Sequence, residues 1–446
     1  MVGGVLFMSN ILTIGLGFGD EGKGSFIDYL SVKNPKINTY IKYNGGCQAR
    51  HTVDYGINGT FSFAQLSPAL VRNKEAKLYL YCNYVINFQN LVHECEEYSK
   101  RFNCSIQDIL RRVYIDMSCL CVTPFHKIYN CLIEEKEGIR GSTGMGVSIA
   151  NLWSEEQCGD LDIYADDFYT PKIVQKQLEK QKEYLKELLL EKDISYPLEE
   201  IDYIRYLSDM EVLFEKYSFN IGNYRQKIRD TEPKVFESSQ GFLLDKKYGF
   251  KPNTTFLDTS MDSLKNINGN RIGFIRSLYT RHGQGIFPTE DNELNQMFED
   301  KSQEVGKYNG SIRFGWFDCV LYRYALTSCA ISSVYMSHMD YLKNLKSVKI
   351  SIGYKLPESV KDISDWERIF EIESVDGSYV IKNIKRSVKD ITNYLNKVVP
   401  IYREITFKSD ILAEKIKEYV AEIEKESGVK ISVCSYGSNV LDKLEV

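Results

Sequence analysis

The chain has 446 residues, 43% of them hydrophobic and 26% charged, with 30 glycines and 10 prolines. That composition holds apolar material for one large domain or two ordinary ones and excludes a disordered or collagen-like chain. Lys and Arg total 56 against 61 Asp and Glu, a net charge of −5, which argues against a general nucleic-acid coat but not against small phosphate ligands, since these need only a local site.

The opening MVGGVLFMSNILTIGLG is interrupted by Ser9 and Asn10 and lacks a basic stretch; it reads as a short extension into a first strand, not a signal peptide. Residues 10–17 read as a buried strand ending in glycines, and 25–30 as a helix start. Strand, glycine turn and helix together open an α/β domain. Segments 77–84, 320–335 and 348–354 add apolar stretches. Residues 172–192 predict a long helix with a solvated charged face, inside a helical insertion spanning roughly 165–230. Ala413, Ile416, Val420 and Ile423 mark one face of a later helix that Gly428 caps, and 430–434 reads as a last short strand. No apolar run reaches the roughly 18 residues of a membrane span, so no membrane partner is expected. The 11 cysteines are odd in number, scattered and without a CxxC; they read as free thiols in a reducing cytoplasm, with no zinc site or disulfide framework. With no repeats and no Pro/Ser-rich linker, residues 1–446 read as a single elaborated α/β domain.

Residues 15–24 read GLGFGDEGKG. Residues 17–23 fit the phosphate loop GxxxxGK, and Gly17, Gly19 and Gly22 also fit the dinucleotide fingerprint GxGxxG. In both, glycines let backbone amides close on phosphate oxygens at a helix N-terminus. Lys23 favours phosphate transfer. Gly24 stands where a magnesium-holding Ser or Thr is expected, so another group must hold the metal. Asp20 and Glu21 lie inside the loop, where a carboxylate is costly unless it binds a cation or takes a proton.

GDEGKG resembles the signature loop of the adenylosuccinate synthetase family. Six further stretches resemble that family's motifs in order: YNGGCQARHT (43–52), GSTGMG (141–146), FESSQGFLLDKKYG (236–249), YTRHGQGIFPTE (279–290), GWFDCVLYRYA (315–325) and HMDYLKNLKSVKISIGY (338–354). The resemblance implies a central, mostly parallel sheet flanked by helices with subdomain insertions, a homodimer, GTP as co-substrate and Mg²⁺. It implies a ligase that phosphorylates the 6-oxygen of an IMP-like purine nucleotide and displaces that phosphate with the amine of L-aspartate.

Carried over residue by residue, Asp20 is the general base that removes the N1 proton and a magnesium ligand, His51 the acid at the phosphoryl group, Lys23 the loop cation, and Gln240 the amide at the purine oxygen edge. Gln48, Thr143, Thr255 and His282 fall with Gln240 around the purine nucleotide. Gly19, Glu21, Gly22, Lys23, Gly24, His338, Asp340, Ser435 and Gly437 fall at GTP, where Asp340 is the acceptor pair for guanine. Arg50 contributes a backbone carbonyl to the metal, and Tyr308, Asn309, Gly310, Ser311 and Arg313 form the amine-donor loop.

The departures cluster at substrate recognition. Gln48 replaces an asparagine, Arg50 a glycine, Met145 an arginine, His338 a lysine and His282 a valine beside the ribose. The donor loop reads YNGSIRF where the family has T-T-G-R-x-R-R, and the arginine that reaches the partner subunit is missing. Each lost charge-assisted contact costs on the order of 1.5–3 kcal/mol. Three readings stay open: a ligase using aspartate or a related donor, a GTP-dependent purine nucleotide phosphotransferase or GTPase without aspartate ligation, and a non-catalytic nucleotide-binding relative. An unknown protein partner could also complete the site.

Overall fold

A computed structural model describes residues 9–137, 141–298 and 310–446. The chain divides into two units, one built mainly of Ile27–Ser239, the other of Leu12–Phe26, Gln240–Asp262 and Asn270–Val446. The central sheet counts ten strands and is largely parallel.

In the first unit the strands run in the order Lys234–Glu237, Thr39–Lys42, Lys77–Leu80, Val113–Asp116 and Asn220–Gly222, all parallel neighbours. Thr39–Lys42 and Lys234–Glu237 are buried at every position, as strands covered on both faces must be. Parallel pairing demands crossovers, and helices such as Phe88–Phe102 occupy them. That helix starts where Asn87 accepts from the Asn90 amide at 2.9 Å and stops at left-handed Asn103. The expected insertion holds helices Pro171–Glu191 and Tyr203–Lys216. In the first of these Val174, Leu178, Leu185 and Leu189 face inward at helical spacing while the charged side is solvated. The insertion's end returns to the sheet as Asn220–Gly222. His51–Asp54 and Thr60–Phe63 form a separate antiparallel ribbon.

In the second unit the order is Lys443–Glu445, Ile431–Ser435, Ser333–Ser337, Gly269–Arg276 and Asn10–Gly15. A smaller, mostly antiparallel sheet centres on Ser347–Lys355, and Tyr279–His282 pairs with Ile312–Gly315 as a ribbon. The apolar segment 320–335 divides into helix Cys319–Cys329 and strand Ser333–Ser337. Two expectations need correction. Strand Lys443–Glu445 follows the one read as last and pairs back on it antiparallel. Helix Leu412–Ser427 does end at left-handed Gly428, but Ala413 is exposed and Lys415 is buried. The Lys415 ammonium donates to the Lys343 and Leu345 carbonyls at 3.1 and 2.7 Å, which makes a buried lysine tolerable.

Candidate functional site

Strand Asn10–Gly15 feeds the glycine loop, and helix Lys23–Lys33 leaves it. Gly19, Asp20 and Gly22 all take left-handed backbone, with φ of +102, +59 and +72°. This folds the loop back on itself, at a strain cost for the one non-glycine. The expectation that the loop amides close on phosphate is modified by Glu21. Its buried carboxylate accepts from the Gly17 and Gly19 amides at 3.1 and 2.9 Å and binds the Lys23 ammonium. A Cβ on Gly15 would lie 2.5 Å from that carboxylate, so only glycine fits there.

Asp20 is partly exposed, and its Oδ2 lies 2.9 Å from His282 Nε2. Burial works to raise its pKa. The hydrogen bond and charge of His282, with Arg276 and Lys23 behind them, outweigh that and hold the carboxyl well below its usual range. Burial lowers the His282 pKa, but Asp20 and the Gly310 backbone push it above its ordinary value. Among the described residues His282 Nδ1 makes no hydrogen bond of normal geometry. Glu21 thus meets the Lys23 ammonium and Asp20 the His282 ring.

In the same unit Gln240 Oε1 is buried and, among the described residues, has no hydrogen-bond partner, an acceptor of the kind a ligand satisfies. Thr255 Oγ1 accepts a turn bond from the Leu257 amide at 3.3 Å. Gly24 follows Lys23 in the helix's first turn. Burial, followed by the nearby charge of Arg276, drives the His338 pKa well below its ordinary value, so its ring is neutral. It stacks on Tyr341 at 5.7 Å with Nδ1 2.7 Å from Ser337 Oγ. Asp340 presents an exposed carboxylate. Ser435 donates to the Gly437 carbonyl at 2.6 Å.

Tyr308 and Asn309 lie outside the described residues. Gly310 takes a φ of +67°, and the Ser311 carbonyl accepts from the Gly283 amide at 3.3 Å. Arg313, the one arginine left in the donor loop, is occupied: it donates to Glu290 at 2.6 Å and to the Gly285 carbonyl at 2.8 Å.

The first unit holds a second cluster. His51 is buried, with Nδ1 3.1 Å from Glu237 Oε1 and Nε2 3.4 Å from the Ser239 carbonyl. Two oxygen acceptors suit a ring that carries a proton on each nitrogen. Burial raises the Glu237 pKa, but Lys42, 3.7 Å away, and His51 outweigh it, so the carboxyl is held below its usual range. Both side-chain polar atoms of Gln48 are buried and find no partner among the described residues. Arg50 is exposed, and so is Thr143. Burial pushes the Cys47 thiol up to about 12, so it is neutral.

Sequence reading assigned no role to Glu237, although it lies in the quoted FESSQG stretch. It also passed over Arg276 and Lys443. Arg276 donates to the Asp20 carbonyl at 3.3 Å and the Tyr341 hydroxyl at 3.0 Å. Lys443 donates to Ser25 Oγ at 2.6 Å and the Asn439 carbonyl at 2.8 Å. Neither carries a motif; only the fold brings it to the loop.

A largely parallel α/β sheet whose first strand enters a lysine-bearing glycine loop defines a nucleotide-binding protein of the phosphate-loop type. The sequence profile of adenylosuccinate synthetase matches residues 12–443, and the chain belongs to that family of ligases. It is 26% identical over 451 residues to the adenylosuccinate synthetase of Clostridium beijerinckii, covering 96% of this chain and 97% of the relative. It is 27% identical over 447 residues to that of Borrelia recurrentis, covering 97% and 96%. Among solved structures it is similar to the fully ligated adenylosuccinate synthetase of Plasmodium falciparum, with a TM-score of 0.79 over 98% of this chain and 100% of that one at 20% identity. It is also similar to the succinoaminodeoxyadenylate synthetase of cyanophage S-2L, solved with dGMP and with dATP as energy donor, with a TM-score of 0.58 over 98% and 95% at 13% identity. At those identities the two structures speak for the fold alone.

Proposed function

We propose that the protein is a GTP- and Mg²⁺-dependent C–N ligase acting on a 6-oxopurine nucleotide such as IMP. The observation that carries this is the division of labour in the glycine loop. Glu21 is wholly engaged by two amides and Lys23, while Asp20 stays ionised and partly exposed. Asp20 is therefore the loop carboxylate available as a base.

In this reading Asp20 accepts the N1 proton of the purine, and the electron pair so freed makes the 6-oxygen a nucleophile toward the γ-phosphorus of GTP. GDP leaves. The amine then attacks C6, and the C–O bond breaks with inorganic phosphate as leaving group. His51, backed by Glu237 and Lys42, donates to the transferring phosphoryl oxygens. The Gln240 oxygen and the Gln48 amide meet the purine nucleotide, and Thr143 and Thr255 its phosphate. At GTP, Gly19, Gly22, Lys23 and Gly24 face the phosphates, His338 and Asp340 the base, and Ser435 and Gly437 its far edge. His338 brings stacking where the family's lysine brings charge, which loosens the hold on the base.

No group of three or more His, Cys, Asp or Glu is placed to hold a metal among the described residues. Magnesium bound mainly through nucleotide phosphates needs only one or two carboxylates, and Asp20 fits that requirement; the family resemblance adds the backbone carbonyl of Arg50. The metal would supply positive charge that offsets the negative charge of the phosphates. Family membership favours a homodimer. No helix among the described residues is long and apolar enough to cross a membrane.

The ion pair between Arg313 and Glu290 favours a second reading, in which GTP-dependent phosphotransfer proceeds without aspartate. The test is liquid chromatography–mass spectrometry of enzyme, Mg²⁺, GTP and IMP with and without L-aspartate. Ligation predicts aspartate-dependent GDP release and a succinyl-purine product. GDP release that ignores aspartate supports the second reading, and no turnover with any 6-oxopurine nucleotide contradicts both.

A further inference from the structure

We propose that His282 is a positioning residue for Asp20, holding one oxygen of that carboxylate so that the other is left for the proton at purine N1. The inference rests on the reading of Asp20 as the base.

Asp20 and His282 are 262 positions apart, yet His282 Nε2 and Asp20 Oδ2 lie at 2.9 Å. Asp20 sits at a left-handed turn of the loop and its side chain is 38% exposed. Such a side chain, left alone, samples several rotamers. Its backbone is already fixed, because Arg276 donates to its carbonyl at 3.3 Å. The Lys23 ammonium is directed to Glu21, which leaves the carboxylate's own constraint to another group. His282 supplies that constraint from a rigid support. It lies in the ribbon strand Tyr279–His282, opposite Ile312, and the Gly283 amide donates to the Ser311 carbonyl at 3.3 Å. The strand that bears His282 is thus tied to Ser311 and Ile312, in the second half of the donor loop. The family motif has valine here, which cannot hydrogen-bond, so the link belongs to this chain. It also gives the histidine a partner other than the ribose that its place in the motif suggested.

Steady-state kinetics of GDP release, with IMP as the varied substrate, test the proposal in wild type, Asp20→Asn, His282→Val and His282→Gln. The amide nitrogen of glutamine can replace Nε2 as donor; valine cannot. The expected result is a kcat at least tenfold lower in His282→Val, a KM for IMP within threefold of wild type, and recovery of kcat to within threefold in His282→Gln. All four proteins are expected to share one thermal midpoint within a few degrees. A His282→Val variant with wild-type kcat, beside an inactive Asp20→Asn, overturns the positioning role and spares the base. So does an effect confined to KM, which marks a ribose contact, or an equal loss of kcat and thermal midpoint in the valine and glutamine variants, which marks a structural one. Wild type that releases no GDP with any 6-oxopurine nucleotide overturns the reading of Asp20 as base, and the positioning role with it.

Discussion

Asp20 and Glu21 are neighbours with different surroundings. Glu21 is 1% exposed and neutralised within its own loop; Asp20 is held by a histidine from a distant strand. Replacing Asp20 by Asn keeps its size and removes its basicity. GDP release should fall by about three powers of ten or more, since the loss removes a general base at the first chemical step, while GTP binding measured by calorimetry should stay within a few-fold. The ion pair also fixes a pH dependence. Asp20 is lowered from 3.8 and His282 is raised from 6.5. The stabilisation from His282 is full below pH 6.5 and is lost as pH rises through its raised value. That from Asp20 is full above about pH 4 and is lost as pH falls through its lowered value. In a proton NMR titration His282 should have a midpoint above 6.5. In Asp20→Asn the midpoint should fall relative to wild type, because burial and Arg276 are then opposed only by the Gly310 backbone.

At the level of elements, Asp318 shows how helix capping is coupled to pH. Its carboxylate caps helix Cys319–Cys329 by accepting from the Val320 and Leu321 amides at 3.1 Å, and it accepts from the Tyr354 hydroxyl at 2.6 Å. Burial nevertheless raises its pKa from 3.8 to about 6. The folded chain therefore binds this proton more tightly than the unfolded chain. Stability falls as pH rises from about 4 to about 6, by on the order of 3 kcal/mol at most. Asp318→Asn keeps a capping oxygen and removes the titration. Its thermal midpoint should lose less than wild type's across that window, as read by scanning calorimetry. Lys415 acts on the turn Met339–Asn344, which bears Asp340. Replacing Lys415 by Met leaves the buried Leu345 carbonyl unpaired, at a cost of about 1–3 kcal/mol, and frees the partly exposed Lys343 carbonyl to water. Urea titration should show a lower midpoint, and GTP affinity should weaken with it.

Across the whole molecule, each unit holds its own polar cluster, Asp20 with His282 in one and His51 with Glu237 in the other, while the donor-loop arginine donates to Glu290. Two lost charge-assisted contacts amount to about 3 kcal/mol or more, about a hundredfold in affinity. The KM for aspartate should exceed that of the Clostridium beijerinckii relative, measured side by side, by that factor or more. Much of this architecture was legible in the chain. The first strand, the loop, the charged helix at 171–191 and the Gly428 cap follow from local pattern, because period and capping residues are local signals. Lys415 was missed because a buried lysine contradicts the apolar stripe that periodicity seeks, and Ala413 was misplaced for the same reason. The links of His51 to Glu237, across 186 positions, and of Asp20 to His282, across 262, could not be seen, since spacing carries no information over such separations. Lys443 reaches the helix after the loop from a strand the sequence reading omitted.

The central claim is that the purine 6-oxygen accepts the γ-phosphoryl group and leaves with it. IMP carrying ¹⁸O at position 6, incubated with enzyme, Mg²⁺, GTP and the amine donor, tests it directly through mass spectrometry of the inorganic phosphate. The account predicts one ¹⁸O in each phosphate released with product. Phosphate without the label, in a reaction that still forms GDP, would contradict it and leave hydrolysis of GTP by water in its place.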